Sequence, residues 1–298
     1  TLRWGVELGL TLIDTAEMYG DGASEELVGH AIEPLDRSKL FLVSKVYPWN
    51  AGRRNIFDSC QDSLDRLGTD YLDLYLLHWR GSVPLSETVA CMEELKAQGK
   101  IRRWGVSNFD LSDMQELLRL KHGENCAVVQ DLYHLGSRGI EYDLLPFLRR
   151  QSIPLMAYSP LAQAGRLRQK LLSSAAIQTV AENHSITPIQ VLLAFVLAQD
   201  GVFAIPRASR VSHVQANCEA ADVVLSAEEL ALLLAVTLYS VILHDYYPWL
   251  ALFLAFGVHL VVHIVQWIAV GRYIPVAATS LAALAYCGWG LHVLVNSG

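Results

Sequence analysis

Residues Thr11–Tyr19 read TLIDTAEMY, Leu40–Val46 read LFLVSKV and Leu72–Trp79 read LDLYLLHW. Each is a short apolar run with β-branched or aromatic content that ends in a residue able to carry chemistry: Asp14 and Tyr19, Lys45, and His78. Runs of this kind, alternating with helical patterns, are parallel strands of an α/β fold. In a closed α/β barrel the carboxyl ends of the strands face one rim, so these side chains can converge on one pocket. An acid, a phenol, an amine and an imidazole together form a proton-donating site.

Outward from these runs, seven strands are read at TLIDT, KLFLVSKV, YLDLYLLH, IRRWGVSNF, AVVQDLY, IPLMAYSP and GVFAIPRA. Helical patterns lie between them, among them RRNIFDSCQDSLDRLG, LSETVACMEELKAQGK and TPIQVLLAFVLAQDG, and an amphipathic segment LRWGVELG precedes the first strand. Thr187 before Pro188 marks a helix start and Gly99 a helix end. No GxGxxG fingerprint follows any strand, and polar groups end nearly every strand, which favours a barrel over a doubly wound sheet. The expected fold is a (β/α)8 TIM-type barrel lacking its first strand, because the chain opens on a helix-like segment. An unclosed barrel exposes strand edges and predicts weak or no turnover.

The net charge of −7 excludes nonspecific nucleic-acid binding, which needs a basic face. Five scattered cysteines (Cys60, Cys91, Cys126, Cys218 and Cys287) form no CxxC pair, so buried inert thiols in a reducing compartment are expected, with no metal site.

A phenol ionises near ~10 and donates its proton poorly at neutral pH unless an adjacent ammonium stabilises the phenolate. Lys45 can do this for Tyr19, and Asp14 can hold Lys45 in place. His78 can hydrogen-bond a carbonyl oxygen and orient it. These groups supply no electrons, so a hydride donor must come from a cofactor. Taken singly, a lysine–aspartate pair is often a plain salt bridge, and a histidine after LYLL is often a core residue. Their appearance on successive strands argues for a site.

The segments LIDTAEMYGDGASEELVGHAI, LVSKVYPWN, DLYLLHW, GKIRRWGVSNF and MAYSPLAQAGRL resemble the aldo/keto reductases, in particular the bacterial methylglyoxal-type members, over roughly residues 1–233. The resemblance implies an eight-stranded barrel that binds NADPH without a Rossmann fold and reduces small-molecule aldehydes or ketones; the barrel is expected on the cytoplasmic side, where NADPH is available. It makes Asp14, Tyr19, Lys45 and His78 the catalytic tetrad, with Tyr19 as general acid. It gives Ser107, Asn108 and Gln130 to the nicotinamide carboxamide and Tyr158 to the nicotinamide face. Ser159, Pro160 and Leu161 then begin the loop over the pyrophosphate, while Trp49 and Trp79 line the substrate pocket. IPRASRVSHVQAN resembles the adenosine-phosphate segment, with Arg207 where lysine is usual, His213 where arginine is frequent, Ala216 where glutamate is frequent, and Asn217 matching. The implied preference for NADPH over NADH is correspondingly softened.

Composition changes near residue 231. In the last 68 residues only Asp245 and Arg272 carry fixed charge, and the other 22 of 23 basic and 29 of 30 acidic residues precede them. Trp249–Val270 and Ile274–Val295 are each 22 residues without a formal charge, long enough to span a bilayer as helices. Ala231–Leu243 can form a third span or an interfacial segment. The expected organisation is a barrel at 1–233 and a hydrophobic helical tail at 234–298 that associates with the membrane through 249–295 and tethers the barrel to the inner membrane. His259 and His263, at i,i+4 on one helix face, are candidate functional groups within it. The stretch 244–284 looks like part of the small bacterial membrane proteins named for an HxxEE motif, although that motif does not occur in it. Two readings of the whole remain: a membrane-tethered carbonyl reductase, or an inactive fusion of a truncated reductase with a truncated membrane protein.

Overall fold

A computed structural model describes residues 1–241, with side chains through residue 235. The apolar segments 249–270 and 274–295, with His259 and His263, lie outside the described residues. In chain order the elements are α1 (Leu2–Glu7), β1 (Leu12–Asp14), α2 (Ala23–Ile32), β2 (Phe41–Val46), α3 (Ile56–Leu67), β3 (Leu74–Leu77) and α4 (Leu85–Ala97). Next come β4 (Trp104–Ser107), α5 (Leu111–Arg119), β5 (Cys126–Leu132), α6 (Leu144–Gln151), β6 (Leu155–Tyr158), α7 (Arg166–Leu172) and α8 (Ala175–His184). They are followed by α9 (Pro188–Leu197), β7 (Val202–Ile205), α10 (Val211–Ala220) and α11 (Ala227–Val241). The chain divides into two units, Thr1–Leu230 and Ala231–Gly298, and the first holds all seven described strands.

The seven strands form one parallel sheet in chain order, β1 to β7. Strand period fixes which side chains look inward. Val43, Leu74, Leu76, Val128 and Met156 pack together, with Leu12, Phe41, Phe203 and Ile205 against them. Two residues further along the same faces stand Asp14, Lys45, His78, Gln130 and Tyr158. Each apolar interior column therefore ends in a polar group at the carboxyl rim. The opposite strand faces are covered by helices, which is why Tyr75 and Leu77 are buried as completely as Leu76.

The seven sequence-read strands all occur; six are shorter than read, and the fifth, read at 127–133, runs Cys126–Leu132. The fourth stops at Ser107 because Asn108 turns into the left-handed region (φ 56°), a conformation asparagine tolerates. The seventh stops at Ile205, since Pro206 has no N–H for the ladder. Thr187 opens α9 with a capping box closed by Gln190, and Gly99 adopts φ 75° after α4. Cys60, Cys91 and Cys126 are buried free thiols, and burial pushes Cys60 and Cys126 up to about 12, so both are inert. Among the described residues no single helix is long and apolar enough to cross a membrane; α8 and α9 pass that test only as a pair bent by 86°.

Helices α2 and α3 brace the outer face of β2. Glu25 is fully buried and accepts from Ser44 Oγ on β2 and from Arg66 Nε on α3 at 2.7 Å. Gly29 lets the helices meet: a Cβ there would lie 2.5 Å from the Arg66 carbonyl oxygen. Alanine ordinarily favours a helix over glycine by up to ~1 kcal/mol, but overpacking against backbone costs about 1–3 kcal/mol. Gly29→Ala is therefore expected to lower the melting temperature in thermal circular dichroism. An unchanged or raised midpoint would show that the helices do not meet here.

Candidate active site

The β1–α2 loop wraps around one amine. Lys45 is fully buried on β2, and its ammonium has three protons to place. One goes to Asp14 Oδ1 at 2.6 Å, one to the Thr15 carbonyl at 2.8 Å, and the third to the Tyr19 hydroxyl at 3.4 Å. Asp14 and Thr15 sit at the end of β1, beside Val43 in register, and Tyr19 follows in the loop. Asp14 is held from a second side by Gln130 Nε2 on β5 at 2.9 Å. That same amide also faces Met156 Sδ at 2.8 Å. Tyr19 keeps 37 % of its surface exposed, so the phenol bonded to the buried amine also faces outward.

His78 stands just beyond β3, with its ring edge-on to Tyr19 at 5.8 Å between centroids. Burial, with a smaller contribution from the Lys45 charge, lowers its pKa to about 4. Its imidazole is therefore neutral at physiological pH. Its Nδ1 is buried and has no hydrogen-bond partner, which leaves the other nitrogen as the ring's outward-facing polar atom.

At the neighbouring rim positions, Asn108 donates to the His78 carbonyl at 3.0 Å and to Ser107 Oγ at 3.2 Å. The Tyr158 hydroxyl donates to Asn108 Oδ1 at 2.8 Å. This chain ties the ends of β3, β4 and β6 together. Burial, with the nearby Asp131 and Tyr19, raises the Tyr158 phenol above its ordinary value. Ser159 continues from β6 in a left-handed conformation (φ 51°), Pro160 is buried and Leu161 half-buried. Arg207 is exposed after β7, and His213 and Asn217 lie one turn apart on α10, whose N-terminal amides favour an anion.

Trp49 and Trp79 come together with a residue that the sequence reading passed over. Tyr47 stacks on Trp49 at 4.3 Å and meets Trp79 edge-on at 5.9 Å, and Trp79 lies 4.9 Å from the His78 ring. The signal for Tyr47 was its place two residues after Lys45, on the same face of the chain. The Thr15 carbonyl was also missed; a backbone acceptor leaves no trace in side-chain identity. The arrangement can polarise a carbonyl oxygen at Tyr19 and His78, protonate it, and keep water from one side with aromatic surface.

The aldo/keto reductase family model matches residues 1–237. Methylglyoxal reductase YeaE of Escherichia coli (strain K12) is 62% identical over 232 residues, covering 78% of this chain and 81% of that protein. Glyoxal reductase of Bacillus subtilis (strain 168) is 34% identical over 232 residues, covering 77% of this chain and 80% of that protein. A crystal structure of an aldo/keto reductase from Klebsiella pneumoniae in complex with NADP and acetate superposes with a TM-score of 0.76 at 59% identity. It covers 78% of this chain and 82% of its own.

The depressed pKa of His78 fixes a sign. The unfolded imidazole titrates near 6.5 and the folded one near 4, so between these values the unfolded chain binds more protons. Stability is expected to fall as pH drops from 6.5 towards 4 and to gain nothing from this group above 6.5. An NMR titration of ring-labelled histidine checks the assignment: the His78 signal should show its inflection near 4, and one near 6.5 would contradict it.

Proposed function

The chain belongs to the aldo/keto reductase family and is an oxidoreductase, and on that footing we propose that it reduces small aldehydes and ketones of the methylglyoxal kind with NADPH. The observation that carries this reading is the three-way placement of the Lys45 ammonium on Asp14, Thr15 and Tyr19. A buried amine in that arrangement offsets negative charge as it grows on the phenol and on the substrate oxygen.

The residues present fit a nicotinamide dinucleotide. Ser107, Asn108 and Gln130 offer the hydroxyl and amide groups that a carboxamide requires, beside the half-buried ring of Tyr158. At the far end, the α10 N-terminus with Arg207, His213 and Asn217 suits the adenosine phosphate, and Ser159, Pro160 and Leu161 border the stretch between. When bound, NADPH supplies the two electrons as hydride.

The chain's own groups do the rest. Tyr19 Oη gives its proton to the carbonyl oxygen as negative charge develops there, and Lys45 stabilises the resulting phenolate. Asp14 holds Lys45, and Gln130 holds Asp14. Neutral His78 donates the N–H on its outward nitrogen to the same oxygen and fixes its direction, while Trp49, Trp79 and Tyr47 flank the substrate's substituent. The two charge-free stretches 249–270 and 274–295 support anchoring of the chain to a membrane, and release of the protein from washed membranes by salt alone would contradict that part of the proposal.

Tyr19→Phe removes the transferred proton and leaves the ring. Methylglyoxal-dependent NADPH oxidation should fall by about 10²–10⁴-fold, while NADPH binding by fluorescence titration stays within about twofold. Survival of the rate would show that Tyr19 is not the acid. Failure of the unsubstituted protein to oxidise NADPH with any carbonyl would favour the inactive-fusion reading.

A further inference from the structure

We infer that Glu17 is a positioning residue that sets the aromatic wall of the substrate pocket and, through it, selects carbonyl compounds bearing a planar apolar substituent. The inference rests on the carbonyl-reductase reading above and adds a substrate preference to it. Glu17 lies between Asp14 and Tyr19, yet makes none of its side-chain bonds to the tetrad. It is 8 % exposed, unusual for a loop carboxylate. Its Oε1 accepts from the backbone N–H of Tyr47 at 2.6 Å and from Asn50 Nδ2 at 3.3 Å.

Those two donors bracket the turn that presents the wall. Asn50 N–H returns to the Tyr47 carbonyl at 3.0 Å and Ala51 N–H to the Pro48 carbonyl at 3.4 Å, so the segment is a compact turn. Trp49 projects from it with 58 % of its surface exposed, its ring meeting Tyr47 at 4.3 Å and Trp79 at 5.8 Å. Gly81 lets the chain pass close to Pro48 in the same turn: a Cβ there would lie 2.4 Å from the proline Cβ. Glu17 thus anchors the turn by its two hydrogen bonds, and Gly81 leaves room for it. A carboxylate is buried at this point because it is the acceptor that fixes the turn, and the turn fixes the rings. A substituent stacked on those rings feels Glu17; one too small to reach them does not.

The test compares two α-ketoaldehydes, methylglyoxal with its methyl group and phenylglyoxal with its phenyl ring, on Glu17→Ala and Glu17→Gln. Loss of one aromatic contact is expected to raise KM for phenylglyoxal in Glu17→Ala by about 3- to 10-fold, with kcat within about twofold. KM for methylglyoxal should move much less. Glu17→Gln keeps an acceptor oxygen and should stay near the unsubstituted protein. An activity-independent readout goes with it: the near-ultraviolet circular dichroism that Trp49→Phe removes should be lost in Glu17→Ala and kept in Glu17→Gln. Glu17→Asp, too short to reach Tyr47, replaces the alanine variant if that one does not fold. Equal KM rises for both substrates, a fall in kcat alone, or a persistent Trp49 signal would overturn the inference. No turnover of either compound by the unsubstituted protein would contradict the reductase reading instead, and the dichroism would then decide the anchoring.

Discussion

A charged amine with no exposed surface is the constraint around which the site is built. Burying an unpaired ammonium costs several kcal/mol, so Lys45 is tolerable on β2 only if all three of its protons find acceptors. Two of those acceptors, Asp14 and the Thr15 carbonyl, come from one short stretch of chain, which forces the β1–α2 loop to close over the end of β2. The third acceptor is the Tyr19 hydroxyl at the longest of the three distances. The Tyr19 hydroxyl thus takes its place as a by-product of satisfying the lysine. The same requirement reaches across the sheet, since Gln130 braces Asp14 from β5 over 116 residues of sequence.

The sheet serves this arrangement by ending its interior columns in polar groups. Val43 and Lys45 share a face, as do Leu12 and Asp14, and Val128 and Gln130, so packing below and chemistry above are set by one register. A one-residue slip of any strand would turn its rim group outward into the helix layer. Glu25 and Arg66 behind β2 guard against that slip by tying α2 and α3 to Ser44, the residue before Lys45. Around the rim, Asn108 joins His78 to Tyr158, linking the ends of β3 and β6 through β4.

The sequence was legible where strand period and chain order carry the information. The strands, the caps of α4 and α9, and the places of Asp14, Lys45 and His78 at strand ends could be read because each depends on local pattern. Glu17 could not be read this way: in AEMYGDG it looks like one more solvated acid, and only the approach of the Tyr47 backbone shows it buried. The Gln130 bond to Asp14 was hidden for the same reason, since it joins strands that are not neighbours. Tyr47 lies one residue past β2, in a turn whose shape strand period does not set, so its ring contacts with Trp49 and Trp79 carry little local pattern. The neutral state of His78 follows from burial, which residue type alone does not reveal.

If Asp14 acts on the reaction only by holding Lys45, their effects must not be independent. A double-mutant cycle on kcat/KM for methylglyoxal, across Asp14→Asn and Lys45→Met, measures this most directly. Loss in the double variant no greater than in Lys45→Met alone is the predicted result. Losses that multiply would show that the two residues act separately, and that the buried pair is not the foundation of the site.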